Sequence, residues 1–397
     1  MAFPQRFSTL PEYAFPRLRT LLGPHAAGGA VVDMTIGEPK HAMPDFIAGE
    51  IAAHIAGFAK YPPNDGTPEL LGAIAGWVGR RYGVMLDPAR QIMALNGSRE
   101  GLYAATLALC PEEKAGKRPV VLIPNPFYQV YAIGALSAGA EPVFLPATSD
   151  TGFLPDLSAV PDDVLERTAI AFLCSPANPQ GVVADRAYWQ TLIALGEKHD
   201  FLIFADECYG EIYRDTPPPG ALEVAAEMGV HPDRVLAFQS LSKRSNLPGL
   251  RSGFVAGGAA ALARIKQLRA YAGAPLPLPV QRVSERVWAD EAHVEASRAL
   301  YQEKFRISDR ILADVPGYRG PEGGFFLWLR VPASIGDGET AALRLWRQTG
   351  VRVLPGGYLG RAVNGVNPAQ DYIRVALVAP IEEVQRGITS IRDCLYG

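Results

Sequence analysis

Short runs of consecutive apolar residues alternate with longer amphipathic segments through the middle of the chain. Each run has the length of a strand and is apolar throughout, which is typical of parallel strands covered by helices on both faces. The runs are Val120–Ile123, Ala169–Leu173, Phe201–Ala205, Val235–Phe238 and Phe254–Ala256. This pattern predicts an α/β fold built on a mostly parallel, doubly wound sheet.

The first helix with clear signals at both ends is predicted to begin after Thr67. Pro68 suits the first helical position because the N–H that it lacks would be unpaired there anyway. Gly83 is expected to end this helix. Its apolar face consists of Leu70, Leu71, Ile74, Trp77 and Val78.

The pattern of apolar and polar positions changes towards the C-terminus of the chain. Gly323–Val331, Val351–Leu354 and Tyr372–Leu377 have the pattern of half-exposed strands, and a helix is predicted from Ile381. These elements predict a smaller α+β domain. Its boundary with the larger domain is expected within the helical stretch around residues 280–312.

Composition and charge exclude several classes of protein. The chain has 397 residues, 48% hydrophobic and 20% charged, which predicts two or three globular domains. A net charge of −3 offers no basic surface for nucleic acid or for an anionic membrane. The four cysteines are scattered without a CxxC pair, so neither a disulfide framework nor a metal site is predicted.

The location of the protein is predicted from the same features. The N-terminal segment contains prolines and charges where a signal peptide would need an apolar core, and no later apolar stretch reaches membrane-spanning length without a proline or a charge. Unpaired cysteines suit a reducing compartment. We therefore expect a cytoplasmic protein with no membrane partner.

Polar and aromatic residues follow the predicted strands directly. In doubly wound sheets, ligands bind beyond the carboxyl ends of the strands, so these residues are expected to share one rim. They are Tyr128 after the first run, Asn178 after the second, Asp206 and Tyr209 after the third, and Ser240 and Lys243 after the fourth. No GxGxxG motif follows a strand, which disfavours a dinucleotide-binding protein.

This set of groups suits pyridoxal phosphate (PLP). PLP withdraws electrons only while its ring nitrogen stays protonated, and Asp206 is the carboxylate expected beside that nitrogen. Taken alone, Asp206 could instead cap a helix that begins at Glu207. The other groups at the rim favour the cofactor role.

A PLP enzyme needs an amine that binds the cofactor as a Schiff base and then acts as a general base, which requires a lowered pKa. Of the eight lysines, only Lys243 follows an apolar strand among small hydroxyl residues, with Arg244 and Arg251 nearby. The others fall in polar loops, turns or charged helical stretches: Lys40, Lys60, Lys114, Lys117, Lys198, Lys266 and Lys304. Lys243 is therefore the predicted cofactor-binding lysine.

The cofactor phosphate needs a helix N-terminus or cationic donors. Gly97 and Ser98 precede the helical run Gly101–Cys110 and would present backbone N–H groups to a phosphate. Ser240 and Arg251 would close the other side of the same subsite.

Along essentially its whole length, the chain resembles the class I/II aminotransferases of PLP fold type I. The resemblance is carried by Ser240–Lys243, by Arg251 in LPGLRSGF, and by the segments Ser175–Gly181, Asp206–Tyr209 and Tyr372–Val375. It implies three parts of the chain. These are an N-terminal arm over 1–45 that joins the small domain, a large PLP-binding domain over 46–285 and a small C-terminal domain over 286–397.

The resemblance also implies a role for each site residue. Lys243 would hold PLP, and the other cofactor contacts would be Asp206 at the ring nitrogen, Asn178 and Tyr209 at the ring hydroxyl, Tyr128 stacked on the ring, and Gly97, Ser98, Arg99, Ser240 and Arg251 at the phosphate. Arg374 would bind the substrate α-carboxylate as a bidentate fork, together with Gly37 and Asn178.

Tyr61 resembles the tyrosine that reaches the cofactor phosphate of a neighbouring subunit, which implies a homodimer with shared active sites. An alternative interpretation is that Tyr61 packs as a loop aromatic in its own core.

A closer resemblance is to the N-succinyldiaminopimelate aminotransferases of lysine biosynthesis. It is carried by Gly37–His41, Tyr61–Leu70, Asn125–Tyr131, Ser242–Phe254 and Asp290–Val294. It implies amino transfer between N-succinyl-L,L-diaminopimelate and 2-oxoglutarate, with glutamate as the product. The proline-rich stretch at residues 273–279 departs from the subfamily and would stiffen a loop near the substrate entrance.

Three alternatives stay open at the level of sequence. An aspartate or broad-range aminotransferase would use the same cofactor site, and the sequence does not identify the residue that recognises a distal carboxylate. A PLP-dependent lyase is possible because bond orientation depends on the pocket. A non-catalytic sensor is disfavoured, because such regulators usually carry an added DNA-binding module and here the catalytic unit takes up the whole chain.

Overall fold

The computed structural model describes residues 5–8 and 10–397, so the start of the predicted N-terminal arm (1–4) and residue 9 lie outside the described residues. The strands are β1 (Val32–Asp33), β2 (Ile92–Leu95), β3 (Val120–Asn125), β4 (Glu141–Pro146), β5 (Thr168–Cys174), β6 (Leu202–Asp206), β7 (Val235–Ser240), β8 (Gly253–Ala256), β9 (Phe326–Arg330), β10 (Val351–Arg352), β11 (Leu354–Pro355) and β12 (Tyr372–Ala376).

The α-helices fall between and after these strands. They are α1 (Ala14–Leu22), α2 (Ile47–His54), α3 (Pro68–Tyr82), α4 (Pro88–Gln91), α5 (Ser98–Leu109), α6 (Val130–Ser137), α7 (Asp162–Arg167), α8 (Arg186–His199), α9 (Ala221–Met228), α10 (Leu241–Arg244), α11 (Ala259–Ala272), α12 (Leu278–Ala289), α13 (Ala292–Ile311), α14 (Gly338–Thr349) and α15 (Ile381–Leu395). None of the described helices combines the length and apolarity needed to cross a membrane.

The central sheet has the strand order β2-β8-β7-β6-β5-β3-β4. All five predicted apolar runs lie in it, and the strands from β7 to β4 in this order are mutually parallel. The prediction that Phe254–Ala256 is also parallel was wrong, because β8 runs antiparallel to both β2 and β7. The chain returns from β7 to β8 through α10 and a short 3₁₀ turn instead of a long crossover helix, so the strand direction reverses.

Two strands of this sheet were not predicted. β4 contains Pro142 and Pro146, which argue against an interior strand, but β4 lies at the edge, where proline is tolerated. β2 is only four residues long and is fully buried. Short or proline-containing strands at the margins thus escaped the apolar pattern that revealed the centre.

Both faces of the central strands are buried, as the continuous apolar runs require. On one face Phe172, Phe204 and Phe238 pack in a row across β5, β6 and β7, with neighbouring ring centroids 5.3 Å apart. On the other face the buried Trp189 and Ile193 of α8 belong to the core that covers the same strands. The sheet is therefore rigid up to the strand ends that carry the polar residues.

The C-terminal part forms an antiparallel sheet of order β11-β12-β9, and β10 pairs instead with β1 of the N-terminal segment. Val32 and Met34 share one apolar core with residues of β12 and α15. The N-terminal segment therefore packs with the C-terminal elements. The exact domain divisions at residues 45 and 285 stay a prediction.

The prediction of half-exposed strands in this part was wrong for β9 and for most of β12. Every residue of β9 except Arg330 is buried, since α1 covers the face that carries Trp328 and the opposite face packs in the small-domain core. Val351–Leu354 is divided between β10 and β11, which belong to different sheets. The helix predicted from Ile381 is confirmed as α15.

The predicted signals at both ends of α3 are confirmed. The Thr67 hydroxyl accepts a hydrogen bond from the backbone N–H of Leu70 at 3.3 Å, Pro68 occupies the first turn, and Gly83 ends the helix with φ of 69° in the left-handed region.

Candidate active site

A cavity of about 1020 Å³ is lined by residues from both the large sheet and the C-terminal elements. The structure brings most of the predicted site residues to its wall: Gly37, Ser98, Arg99, Tyr128, Asn178, Asp206, Tyr209, Ser240, Lys243, Arg251 and Arg374. Gly97 lies behind the wall, against the side chain of Arg251. Tyr61 lies outside the cavity.

Lys243 lies in α10, directly after β7. Ser240 caps this short helix by accepting a hydrogen bond from the N–H of Ser242 at 3.1 Å. The Lys243 amine donates to the carbonyl oxygen of Gly37. Burial lowers the pKa of Lys243 to about 8, and the nearby guanidinium of Arg374 acts in the same direction. A substantial fraction of this amine is therefore neutral near physiological pH.

Asp206 ends β6 and is 4% exposed. Its carboxylate accepts a hydrogen bond from the hydroxyl of Tyr131 at 2.6 Å and one from the N–H of Cys208 at 3.3 Å. Burial raises its pKa, against the effect of these hydrogen bonds. The alternative that Asp206 caps a helix at Glu207 was wrong, because a turn follows β6.

The ends of α5 and α10 form a cup that suits a phosphate. Gly97 has φ of 80°, and a Cβ at this position would overlap the guanidinium of Arg251. Arg251 contacts the hydroxyl of Ser242 at 3.5 Å, and Ser242 in turn accepts from Ser240 at 3.0 Å. The first turn of α5, which begins at Ser98, adds N–H groups that have no acceptor within the helix.

The side chain of Arg99 points elsewhere in this structure. Its Nε donates to the hydroxyl of Tyr128 at 2.5 Å, and Tyr128 contacts Tyr131 edge-on with ring centroids 5.8 Å apart. Of the predicted phosphate contacts, Arg99 therefore offers its backbone N–H at the start of α5, while its side chain holds the ring of Tyr128.

Arg374 lies on β12 and is 5% exposed. Its guanidinium donates to the side-chain oxygen of Asn178 at 3.0 Å and to the carbonyl of Thr35 at 2.8 Å, while its Nε is buried without a partner. Burial lowers the pKa of Arg374 to about 10, so it remains charged. Among the ion pairs of the described residues none includes Arg374, and a carboxylate ligand would satisfy it.

Tyr209 and Gly37 complete the wall near Arg374. Tyr209 is buried and contacts the rings of Phe325 and Phe326 edge-on. A Cβ on Gly37 would come within 2.6 Å of Phe326, so only glycine lets this backbone approach so closely.

Two groups that the sequence singled out do not line the cavity. Tyr61 is fully exposed, so the alternative that it packs in its own core was wrong. The proline-rich stretch at residues 273–279 does not line the cavity. It contacts the phosphate cup from behind, because Asn96 donates to the carbonyl of Ala274 at 2.5 Å.

Sequence reasoning gave no role to several residues of the site, among them Ser242, Tyr131, Arg361 and Tyr13. Ser242 carries a signal, since it lies within the Ser240–Lys243 motif. Tyr131, which supports Asp206, and Arg361, which lines the cavity, reach the site only through tertiary packing. Tyr13 lines the cavity from the segment just before α1.

Lys304 lies on α13, in the charged helical stretch where it was predicted, but its side chain is buried. It is 1% exposed, and its amine contacts Nε2 of His41 at 2.7 Å and the carbonyl of Leu377 at 3.0 Å. Burial lowers the pKa of Lys304 to about 7. It does not line the cavity, and it connects the segment after Gly37 to the end of β12.

The donor set fits PLP. Asp206 offers a buried carboxylate for the ring nitrogen, the cup around Arg251 suits the phosphate, and Lys243 supplies the amine. These features define the class of protein: a PLP-dependent enzyme of fold type I.

Comparisons with known proteins identify the family within this class. A model of the family described as aminotransferase class I and II matches residues 30–391. The LL-diaminopimelate aminotransferase of Desulforudis audaxviator is 32% identical over 98% of this chain and 97% of its own. A crystal structure of an aminotransferase from Neisseria meningitidis is 39% identical, with a TM-score of 0.92 and 98% of each chain covered.

A probable N-succinyldiaminopimelate aminotransferase from Thermus thermophilus is 28% identical, with a TM-score of 0.84, covering 96% of this chain and 100% of that chain. The chain belongs to the class I and II aminotransferases, and it is a PLP-dependent aminotransferase.

We predict that Gly97→Ala weakens cofactor binding at least about tenfold. The new Cβ would push the Arg251 guanidinium out of the phosphate cup, and a positive φ strains any side chain there. Equilibrium dialysis of PLP against the cofactor-free protein measures the effect. Gly72→Ala is the matched control, because a Cβ at Gly72 meets nothing within 4 Å. Equal affinity of the two variants for PLP would contradict the assignment of the cofactor phosphate to this cup.

We predict that the rate of cofactor uptake rises with pH and levels off above about pH 8. Only the neutral amine of Lys243 attacks the cofactor aldehyde, and the neutral fraction grows as pH passes the lowered pKa of about 8. Absorbance after mixing PLP with cofactor-free protein gives the rate. Lys304→Met, which removes the other buried amine, should keep the profile. A rate that still climbs towards the ordinary lysine pKa of about 10.4 contradicts the prediction.

We predict that Arg374→Ala lowers kcat/KM for every amino donor by an amount equivalent to about 2–5 kcal/mol, because the substrate α-carboxylate loses its buried partner. Steady-state kinetics with several donors test this. Arg330→Ala on the neighbouring strand is the control, since Arg330 is exposed. A loss confined to one donor would assign Arg374 to side-chain recognition instead.

Proposed function

We propose that the protein transfers the amino group of N-succinyl-L,L-diaminopimelate to 2-oxoglutarate, with glutamate as the product, in lysine biosynthesis. The observation that carries this proposal is the excess of positive charge in the cavity. The cationic side chains among its described lining residues are Arg99, Lys243, Arg251, Arg361 and Arg374. The acidic ones are Glu38, Glu100 and Asp206.

Two of these acidic side chains already have a partner or an assigned role. Glu100 is paired with Arg269, with an N–O distance of 2.8 Å, and Asp206 is assigned to the ring nitrogen. Lys243 and Arg251 are in turn assigned to the cofactor, which leaves Arg99, Arg361 and Arg374 against Glu38. This excess of positive charge favours a substrate that carries more carboxylates than amines. N-succinyl-L,L-diaminopimelate has three carboxylates and one free amine, because succinylation removes the charge of the second amine.

Different residues of the cavity perform different steps of amino transfer. Arg374 and Asn178 hold the α-carboxylate and thereby orient the bonds at the substrate Cα. The bound cofactor supplies the electron sink for that carbon. Lys243, whose pKa is lowered to about 8, accepts the proton from Cα and returns it. The 2-oxo acid then binds at the same Arg374 in the second half of the cycle.

A homodimer with shared active sites is part of the proposal. Tyr61 is fully exposed on this chain, and the nearby Ile55 and Phe58 are 60% and 57% exposed. Large apolar side chains grouped on one surface are typical of an interface. In this arrangement Tyr61 reaches the partner's cofactor phosphate. A cytoplasmic location is also proposed, supported by the four free cysteines.

Unmodified L,L-diaminopimelate is the second candidate donor. It is favoured by the names of relatives such as the LL-diaminopimelate aminotransferase of Moorella thermoacetica, 32% identical over 98% of this chain. Its distal end carries an ammonium as well as a carboxylate, and Glu38 is the lining acid that remains for such a group.

A panel of amino donors with 2-oxoglutarate tests the proposal. We predict the highest kcat/KM for N-succinyl-L,L-diaminopimelate, followed by L,L-diaminopimelate and then aspartate. The inactive Lys243→Ala variant gives the background rate. A preference for aspartate would overturn the substrate proposal, and release of ammonia without transfer to 2-oxoglutarate would indicate a lyase.

A further inference from the structure

Two hydrogen bonds with one side chain fix the backbone of Arg361 to the wall of the cavity, an arrangement called here the Asn125 clamp. The Asn125 side chain, at the end of β3, accepts a hydrogen bond from the N–H of Arg361 at 2.9 Å and donates to its carbonyl at 2.8 Å. The N–H of Phe127 donates to the carbonyl of Leu359 at 3.2 Å. The backbone of Arg361 is thus tied to the same strand end that carries Tyr128.

The guanidinium of Arg361 is charged but has no acidic partner in the described part of the chain. Its carbon lies 5.2 Å from the ring centroid of Phe127, and Nη1 donates to the carbonyl of Gly360 at 3.0 Å. Partial burial lowers its pKa, and an arginine stays protonated in spite of this. Most of its five N–H donors therefore remain free for a ligand.

The other cationic side chains of the cavity wall are already assigned to particular contacts. Lys243 is the cofactor amine, Arg251 belongs to the phosphate cup and Arg374 receives the α-carboxylate. Arg99 donates to Tyr128 and is exposed. Arg361 is the partly buried cation of the wall to which no individual contact with the cofactor or the α-carboxylate is assigned.

The surroundings of Arg361 suit the carbon chain that precedes a second carboxylate. Phe127, Leu354 and Leu359 line the cavity beside it and offer an apolar surface for methylene groups. We propose that Arg361 binds the distal carboxylate of dicarboxylic substrates and so selects them over apolar amino acids of equal length. This inference rests on the proposed function, in which the amino donor and the acceptor both carry a distal carboxylate.

The test compares two amino donors of equal chain length. Glutamate and norvaline both have five carbons, and norvaline has a methyl group in place of the distal carboxylate. The first half of the reaction is followed in the holoenzyme by cofactor absorbance, and kcat/KM is measured for each donor. The second half need not occur, so the result does not depend on the acceptor.

Arg361→Gln should lower kcat/KM for glutamate by about 10- to 100-fold, the usual value of a lost charge-assisted hydrogen bond. Its kcat/KM for norvaline should change by less than about threefold. Arg361→Lys should fall between, since lysine keeps the charge and loses the planar fork. Arg386→Gln on α15 is the control, because Arg386 is exposed and does not line the cavity.

Each outcome decides the matter. Equal losses for both donors would mean that Arg361 only holds the wall in place, and no loss for either would mean that another group binds the carboxylate; both overturn the inference. A selective loss for glutamate supports it, even if the donor panel shows no reaction with N-succinyl-L,L-diaminopimelate. In that case the substrate proposal fails separately.

Discussion

Buried charge without a counter-charge from the protein is the constraint around which this active site is built. Asp206 and Arg374 are 4% and 5% exposed, and each is held by neutral hydrogen-bonding groups instead of an opposite ion. Removing a charge from water costs several kcal/mol unless a partner compensates. In the roles proposed for these two residues, the cofactor pyridinium and a substrate carboxylate would supply that compensation.

The rigid sheet makes this arrangement possible, and the N-terminal segment completes it. Gly37 contributes the carbonyl that holds Lys243, and His41, four residues later, contacts the buried amine of Lys304. Lys304 also binds the carbonyl of Leu377, just beyond β12. The loop that meets the amine of Lys243 is thereby tied to the end of the strand that carries Arg374.

Local sequence patterns predicted the parts of this structure that depend on local physics. Continuous apolar runs located the central strands, and the polar residues after the first four runs met at one cavity because those parallel strands end at one edge. The direction of β8 was not predictable in this way, since it depends on the path of the connection through α10. The helical stretch around Lys304 was predicted, but the burial of its side chain was not, because charged neighbours along α13 conceal its orientation towards the core.

Recognition of the distal part of the substrate is the least local feature of all. The clamp between Asn125 and Arg361 joins residues 236 positions apart, and nothing in the segment around Arg361 distinguishes it from the other arginines of the chain. The residues proposed for cofactor binding lie at strand ends, which the parallel sheet brings to one edge. In the proposed mode of recognition, substrate choice depends on the loop that carries Arg361, which hydrogen bonds join to the end of β3. Under this proposal, substrate specificity could change through that loop while Lys243, Asp206 and Arg374 keep their positions.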